Sequence, residues 1–123
     1  MLVLPSPVRD LAELSMPTEA SVRLFQGKQL DPHSHPARLF RLGAGGAELA
    51  SEVPLAVFAP LQVLLPLGPH GELEALDGKV IALSEHDDLP TFLVRFTGVS
   101  WERQDAIDAL ARRSQPLSDP ANR

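Results

Sequence analysis

The sequence predicts a mainly β fold, an antiparallel barrel or sandwich closed by one C-terminal helix. Three observations predict it. Short apolar runs with strand chemistry recur at roughly 8–12-residue spacing. Pro17, Pro32, Pro36, Pro54, Pro60, Pro66, Pro69 and Pro90 punctuate them, and a proline without an N–H marks strand ends, edges and turns. After Ser100 the apolar period changes from strand-like to helical.

Each element follows in order. Ser6 as cap and Pro7 at the first helical position predict a short helix through Leu14, with Val8, Leu11 and Leu14 on one face. Val22-Arg23-Leu24-Phe25 is the first strand and ends at Gly27. Arg38 to Leu42 and Ala47 to Ala50 are the second and third, joined by Gly43-Ala44-Gly45-Gly46. Glycine there is expected to supply positive φ or to admit a close backbone or ligand. Leu61 to Leu65 is the fourth strand, and Gly68-Pro69-His70-Gly71 a tight connection. Leu73 to Leu83 is a long fifth strand with a bulge expected at Gly78. Beyond the polar turn Glu85 to Pro90, Phe92, Val94 and Phe96 alternate with Leu93 and Arg95 as a sixth. Ser100 caps a helix from Trp101 to Arg113. Glu102 and Asp105 suit its positive end and Arg112 and Arg113 its negative end. Trp101, Ile107, Leu110 and Ala111 are expected to seat it on the sheet. The predicted organisation is an extension over residues 1–17, a barrel with helix over 18–113 and a disordered tail over 114–123.

Composition narrows the function. A chain of 123 residues with 44% apolar side chains supports one domain with a real core. A net charge of −5 argues against a general nucleic-acid binder. The absence of cysteine excludes disulfides, thiolate nucleophiles and Cys-ligated zinc. No apolar run approaches the ~20 residues of a membrane span, so a cytoplasmic protein is expected. His33 and His35 flank Ser34 near Asp31, an incomplete metal set best read as a polar loop. His86-Asp87-Asp88 combines acid and base types in a turn, with no nucleophile or oxyanion device beside it. No enzyme is predicted.

Phe40-Arg41-Leu42-Gly43-Ala44-Gly45-Gly46-Ala47-Glu48-Leu49 resembles the Asp/Asn-x-Ser-x-x-Gly stretch of the PilZ family, small β-barrel receptors for cyclic di-GMP. Leu61 to Leu67, Glu72 to Leu83, and Phe92 to Phe96 with the following helix are similar to that family's later strands and terminal signature. The resemblance spans Thr18 to Arg113 and implies a six-stranded antiparallel PilZ-like β-barrel with a C-terminal α-helix.

The departures carry functional weight. The family's Arg-x-x-x-Arg pair, whose guanidinium forks suit phosphates and guanine edges, has no counterpart. Four residues beyond Arg9 stands Glu13, and four beyond Arg23 stands Gly27. Arg41 stands at the Asp/Asn position and Gly43 at the Ser position; only Gly46 is retained. Arginine has no acceptor with which to replace a carboxylate. The resemblance therefore implies a non-enzymatic signalling or adaptor domain in bacterial motility or surface behaviour. It would act through a protein partner and not bind cyclic di-GMP in the usual way. The alternative is a receptor for cyclic di-GMP or another anion, using Arg38, Arg41, Gly43, Gly46 and the turn amides. In the plainer reading Arg38 and Arg41 are cations that protect an edge strand. A third role is homo-oligomerisation through the apolar N-terminal segment.

Overall fold

The computed structural model describes residues 11–86 and 88–113. It contains β1 (Ala12–Gln26), β2 (Gln29–Leu30), β3 (His35–Gly43), β4 (Gly46–Ser51), β5 (Pro60–Pro66), β6 (Leu73–His86), β7 (Leu89–Phe96) and α1 (Trp101–Arg113). The sheet order is β2-β1-β3-β4-β7-β6-β5, and β5 returns to pair with β1. Every ladder between these strands is antiparallel. Six strands thus close a barrel, with β2 a short addition to the end of β1. The closed barrel, its six strands and the terminal helix are as the sequence predicts.

The interior follows from alternation. Val22, Leu39, Leu42, Leu49, Leu61, Val63, Leu65, Leu76, Val80 and Val94 are all buried, drawn from every barrel strand. A period of two sends such residues inward and their neighbours outward. Ile107, Leu110 and Ala111 of α1 join the same core. Ser100 caps the helix, its Oγ accepting from the Arg103 N–H at 3.4 Å. Arg103 also donates to the Ala75 carbonyl of β6 at 2.6 Å, tying α1 to the sheet.

Several local expectations are corrected. Ala12 to Leu14 form strand, not the end of a helix: Ala12 pairs with Leu42, Glu13 with Arg41, and Leu14 is buried. Sheet pairing overrides the helical spacing of Leu11 and Leu14. The barrel therefore begins before Thr18. The rest of the expected helix, and the tail from residue 114, lie outside the described residues. Trp101 does not seat the helix; it is 82% exposed. At about 100° per residue Trp101 lies roughly 120° around the helix from Ile107, off the buried face. The β6 bulge falls between Val80 and Ala82, not at Gly78. Gly78 serves a close approach instead: a Cβ there would sit 2.8 Å from Val94 Cγ1 and 2.9 Å from the Arg95 carbonyl oxygen. The Gly43–Gly46 turn contains no positive φ; among glycines that conformation occurs at Gly27, Gly71 and Gly98. Finally, β3 is not an edge strand, because β1 and β4 flank it.

Candidate functional site

Outward-facing residues of β1, β3, β4, β6 and β7 build one polar cluster on the barrel wall. The two-residue connection Ala44-Gly45 sets its register: Gly43 pairs with Gly46, Leu42 with Ala47 and Arg41 with Glu48. Ala47 and Leu49 fill the interior, so Glu48 projects outward. Even so, its side chain is 1% exposed.

The neighbours of Glu48 explain the burial. Thr91 of β7, also buried, donates its hydroxyl to Glu48 Oε2 at 2.8 Å. Arg41 Nε lies 3.4 Å from Glu48 Oε1, and His86 Nδ1 lies 3.6 Å from the same oxygen. These are ion-pair distances, but no hydrogen bond reaches Oε1. The Arg41 guanidinium also stands 3.8 Å from Glu13 Oε1. The Phe40 ring stacks on His86, centroids 4.7 Å apart and planes at 27°. Arg41 is thus held between two carboxylates, one buried and one exposed.

A bulge determines which residues meet here. Residues three apart on a regular strand face opposite sides. In β3 the register shifts between Leu39 and Arg41, so Phe40 is an extra residue. Leu39 and Leu42 consequently both point inward, while Arg38 and Arg41 are both exposed.

The two arginines serve different places. Arg38 pairs with Glu19 on one side and Ala50 on the other, and makes no ion pair among the described residues. It lines a groove of about 980 Å³ with Glu19, Glu52, Pro66, Leu73 and Phe92. Gly43 and Gly46 are buried at the hairpin end, clamped by a 2.9 Å hydrogen bond from the Phe96 N–H to the Gly45 carbonyl. The four residues picked out by the motif therefore form no single cavity.

Sequence reasoning passed over Glu13, Glu48 and Thr91 as site residues and placed His86 in a polar turn, where the structure has it as the last residue of β6. The Arg41–Glu48 pairing was readable, since a two-residue turn counts back to it. The contributions of β6 and β7 required the barrel to close. Elsewhere, Asp31 Oδ1 accepts from the His33 N–H at 2.9 Å, a local turn contact. Among the described residues no three His, Asp or Glu side chains gather to hold a metal. No described helix is long and apolar enough to cross a membrane.

No protein-family model matches the sequence, and comparison with curated proteins finds no relative. Solved structures do match. The PilZ domain of YcgR from Escherichia coli, with c-di-GMP, superposes at a TM-score of 0.64 and 18% identity, over 85% of this chain and 88% of that one. The Bacillus subtilis inhibitor of motility, MotI/DgrA, does so at 0.63 and 11% identity, over 85% of this chain and 49% of that one. YcgR from Escherichia coli in complex with c-di-GMP gives 0.59 and 19%, over 85% of this chain and 45% of that one. The chain spans about half of each of these longer proteins and nearly the whole of the isolated domain. Its antiparallel barrel with a terminal helix is the PilZ fold.

Proposed function

We propose that this PilZ-fold domain is a non-enzymatic adaptor, acting in the cytoplasm through protein contacts in bacterial motility or surface-behaviour control. It does so without binding cyclic di-GMP in the usual way. The observation that carries the reading is the state of Arg41. It stands where the family resemblance puts an Asp or Asn acceptor, and its charge is already shared by Glu48 and Glu13.

Competition for Arg41 favours this reading. A nucleotide phosphate engaging Arg41 would compete for it with Glu48, which is almost fully buried, and with Glu13. Removing the cation outright from a fully buried pair costs about 3–5 kcal/mol; Arg41 is 47% exposed and makes no hydrogen bond to Glu48 Oε1, so the competition costs less than that. Two of the solved structures with this fold contain c-di-GMP, which makes that nucleotide the right probe. Isothermal titration should give no saturable heat. Saturable micromolar binding that disappears in Arg41→Ala would reverse the assignment.

A second reading keeps one specific observation. The Phe40 bulge brings Arg38 and Arg41 to the outer wall, and Arg38 borders a groove of about 980 Å³. A receptor for cyclic di-GMP or another anion would then use Arg38, Arg41 and the Gly43–Gly46 turn. Saturable binding lost in both Arg38→Ala and Arg41→Ala would identify it.

A further inference from the structure

The two edges of β6 are unequally used. On one side β6 pairs with β7 along its second half, to His86↔Leu89. On the other, β5 pairs with it only as far as Pro60↔Lys79. Two more bonds extend that side by one residue: the Val80 N–H donates to the Ala59 carbonyl at 3.0 Å, and the Phe58 N–H to the Val80 carbonyl at 2.6 Å. Beyond Val80 this edge has no backbone partner among the described residues.

Pro90 reveals which groups face the open side. Glu85 is opposite Pro90. Proline has no N–H, so this cannot be the pair that exchanges two backbone hydrogen bonds. In the alternating antiparallel pattern those exchanges fall to His86↔Leu89 and Ser84↔Thr91. The N–H and C=O groups of Leu83 and Glu85 therefore point away from β7, toward the open edge. Two large apolar side chains stand exposed there among polar ones, Leu83 at 65% and Phe58 at 69%. Phe58 holds φ at 71°, a left-handed conformation that a bulky residue rarely adopts. A cleft of about 610 Å³ runs beside the edge, lined by Leu55, Leu83, Glu85 and Phe92. Ile81 to His86 contains no lysine, arginine or proline, and its guards are the Glu85 charge and the bulge between Val80 and Ala82 at its start.

We propose that this edge is a dimerisation surface on which a second copy of the chain adds its own β6 antiparallel about a two-fold axis at Leu83. The register is self-consistent. Leu83 faces Leu83 of the second copy in a pair that exchanges two backbone hydrogen bonds, and Ser84 faces Ala82. Glu85 falls opposite Ile81, so the two Glu85 carboxylates lie about 14 Å apart along the strands, beyond a screening length of about 8 Å. The Leu83 side chains cover one another and the cleft, and the two barrels become one continuous sheet. Thr91 borders both this cleft and the Glu48 cluster, but the test reads the mass of the chain with no nucleotide present, so its failure and that of the adaptor reading are distinguishable.

The experiment is sedimentation equilibrium of the full chain over a wide concentration range. The wild type should pass from the mass of one chain to that of two. Leu83→Pro removes only an N–H directed at the open edge, leaving the β7 ladder intact. It should raise the midpoint concentration at least about tenfold while melting like the wild-type monomer. Leu83→Lys, which keeps the backbone N–H, should do the same and decides the matter if the proline variant does not fold. Amide exchange at Leu83 and Glu85 should slow with rising concentration in the wild type. A wild type that stays monomeric, or folded Leu83 variants that associate like it, overturns the proposal.

Discussion

The outer wall around Glu48 and the overhanging half of β6 are opposite solutions to one problem. On the wall, an outward-facing carboxylate is enclosed by Arg41, His86 and Thr91. On the overhang, backbone groups of Leu83 and Glu85 face outward, and among the described residues no ladder runs beyond Val80 on that side. Buried polar groups are costly unless partnered, so the first region is occupied by the protein's own side chains. The second invites a partner's backbone. A ligand meets competition at the wall and none at the edge. On the adaptor proposal, this chain meets other chains more readily than a nucleotide.

The largest effect should come from breaking the wall. Glu48→Ala strands the buried Thr91 hydroxyl and leaves a void, for an expected loss of about 3 kcal/mol. Urea unfolding measures it, and a loss below about 1 kcal/mol would show the carboxylate is not integral to the wall. Next comes Thr91→Val, which keeps the shape but removes the 2.8 Å bond to Glu48. It should cost about 1–2 kcal/mol in the same assay, with Glu48→Ala adding less to it than to the wild type.

Gly78→Ala sharpens the comparison from the other strand. Its Cβ would press on Val94 and the Arg95 carbonyl, for an expected cost of about 1–3 kcal/mol. A neutral result would mean that β6 and β7 can separate there freely. The smallest effect is expected at Trp101. The ring is 82% exposed, so Trp101→Ala should change the melting free energy by no more than about 0.5 kcal/mol. A larger loss would return the ring to the packing role that the sequence first suggested.

The ease of reading the fold and the difficulty of reading the site have one physical source. Strand positions are local: alternation in Phe92, Val94 and Phe96, or proline at the start of β5, declares itself within a few residues. Ser100 announced α1 in the same way. The last residues of the helix expected through Leu14 are strand because Ala12 and Glu13 pair with β3, which is remote in sequence. The wall cluster is more remote still. Glu48 and Thr91 are 43 residues apart, and their bond exists only after β4 and β7 become neighbours. The Phe40 bulge was invisible for a related reason. Nothing in Arg38 to Leu42 shows that an extra residue will turn both arginines outward, because the partner strand imposes the shift.

The most direct test of the occupied wall is to watch the arginine itself. In an NMR titration of the folded protein with cyclic di-GMP, the Nε–H resonances of Arg41 and Arg38 report each guanidinium separately. The expected result is that Arg41 keeps its wild-type position throughout and moves only when Glu48 or Glu13 is replaced. A saturable shift of Arg41 on adding the nucleotide to the unmodified chain would mean that Glu48 yields its partner to a ligand, and the account of a self-occupied site would be wrong.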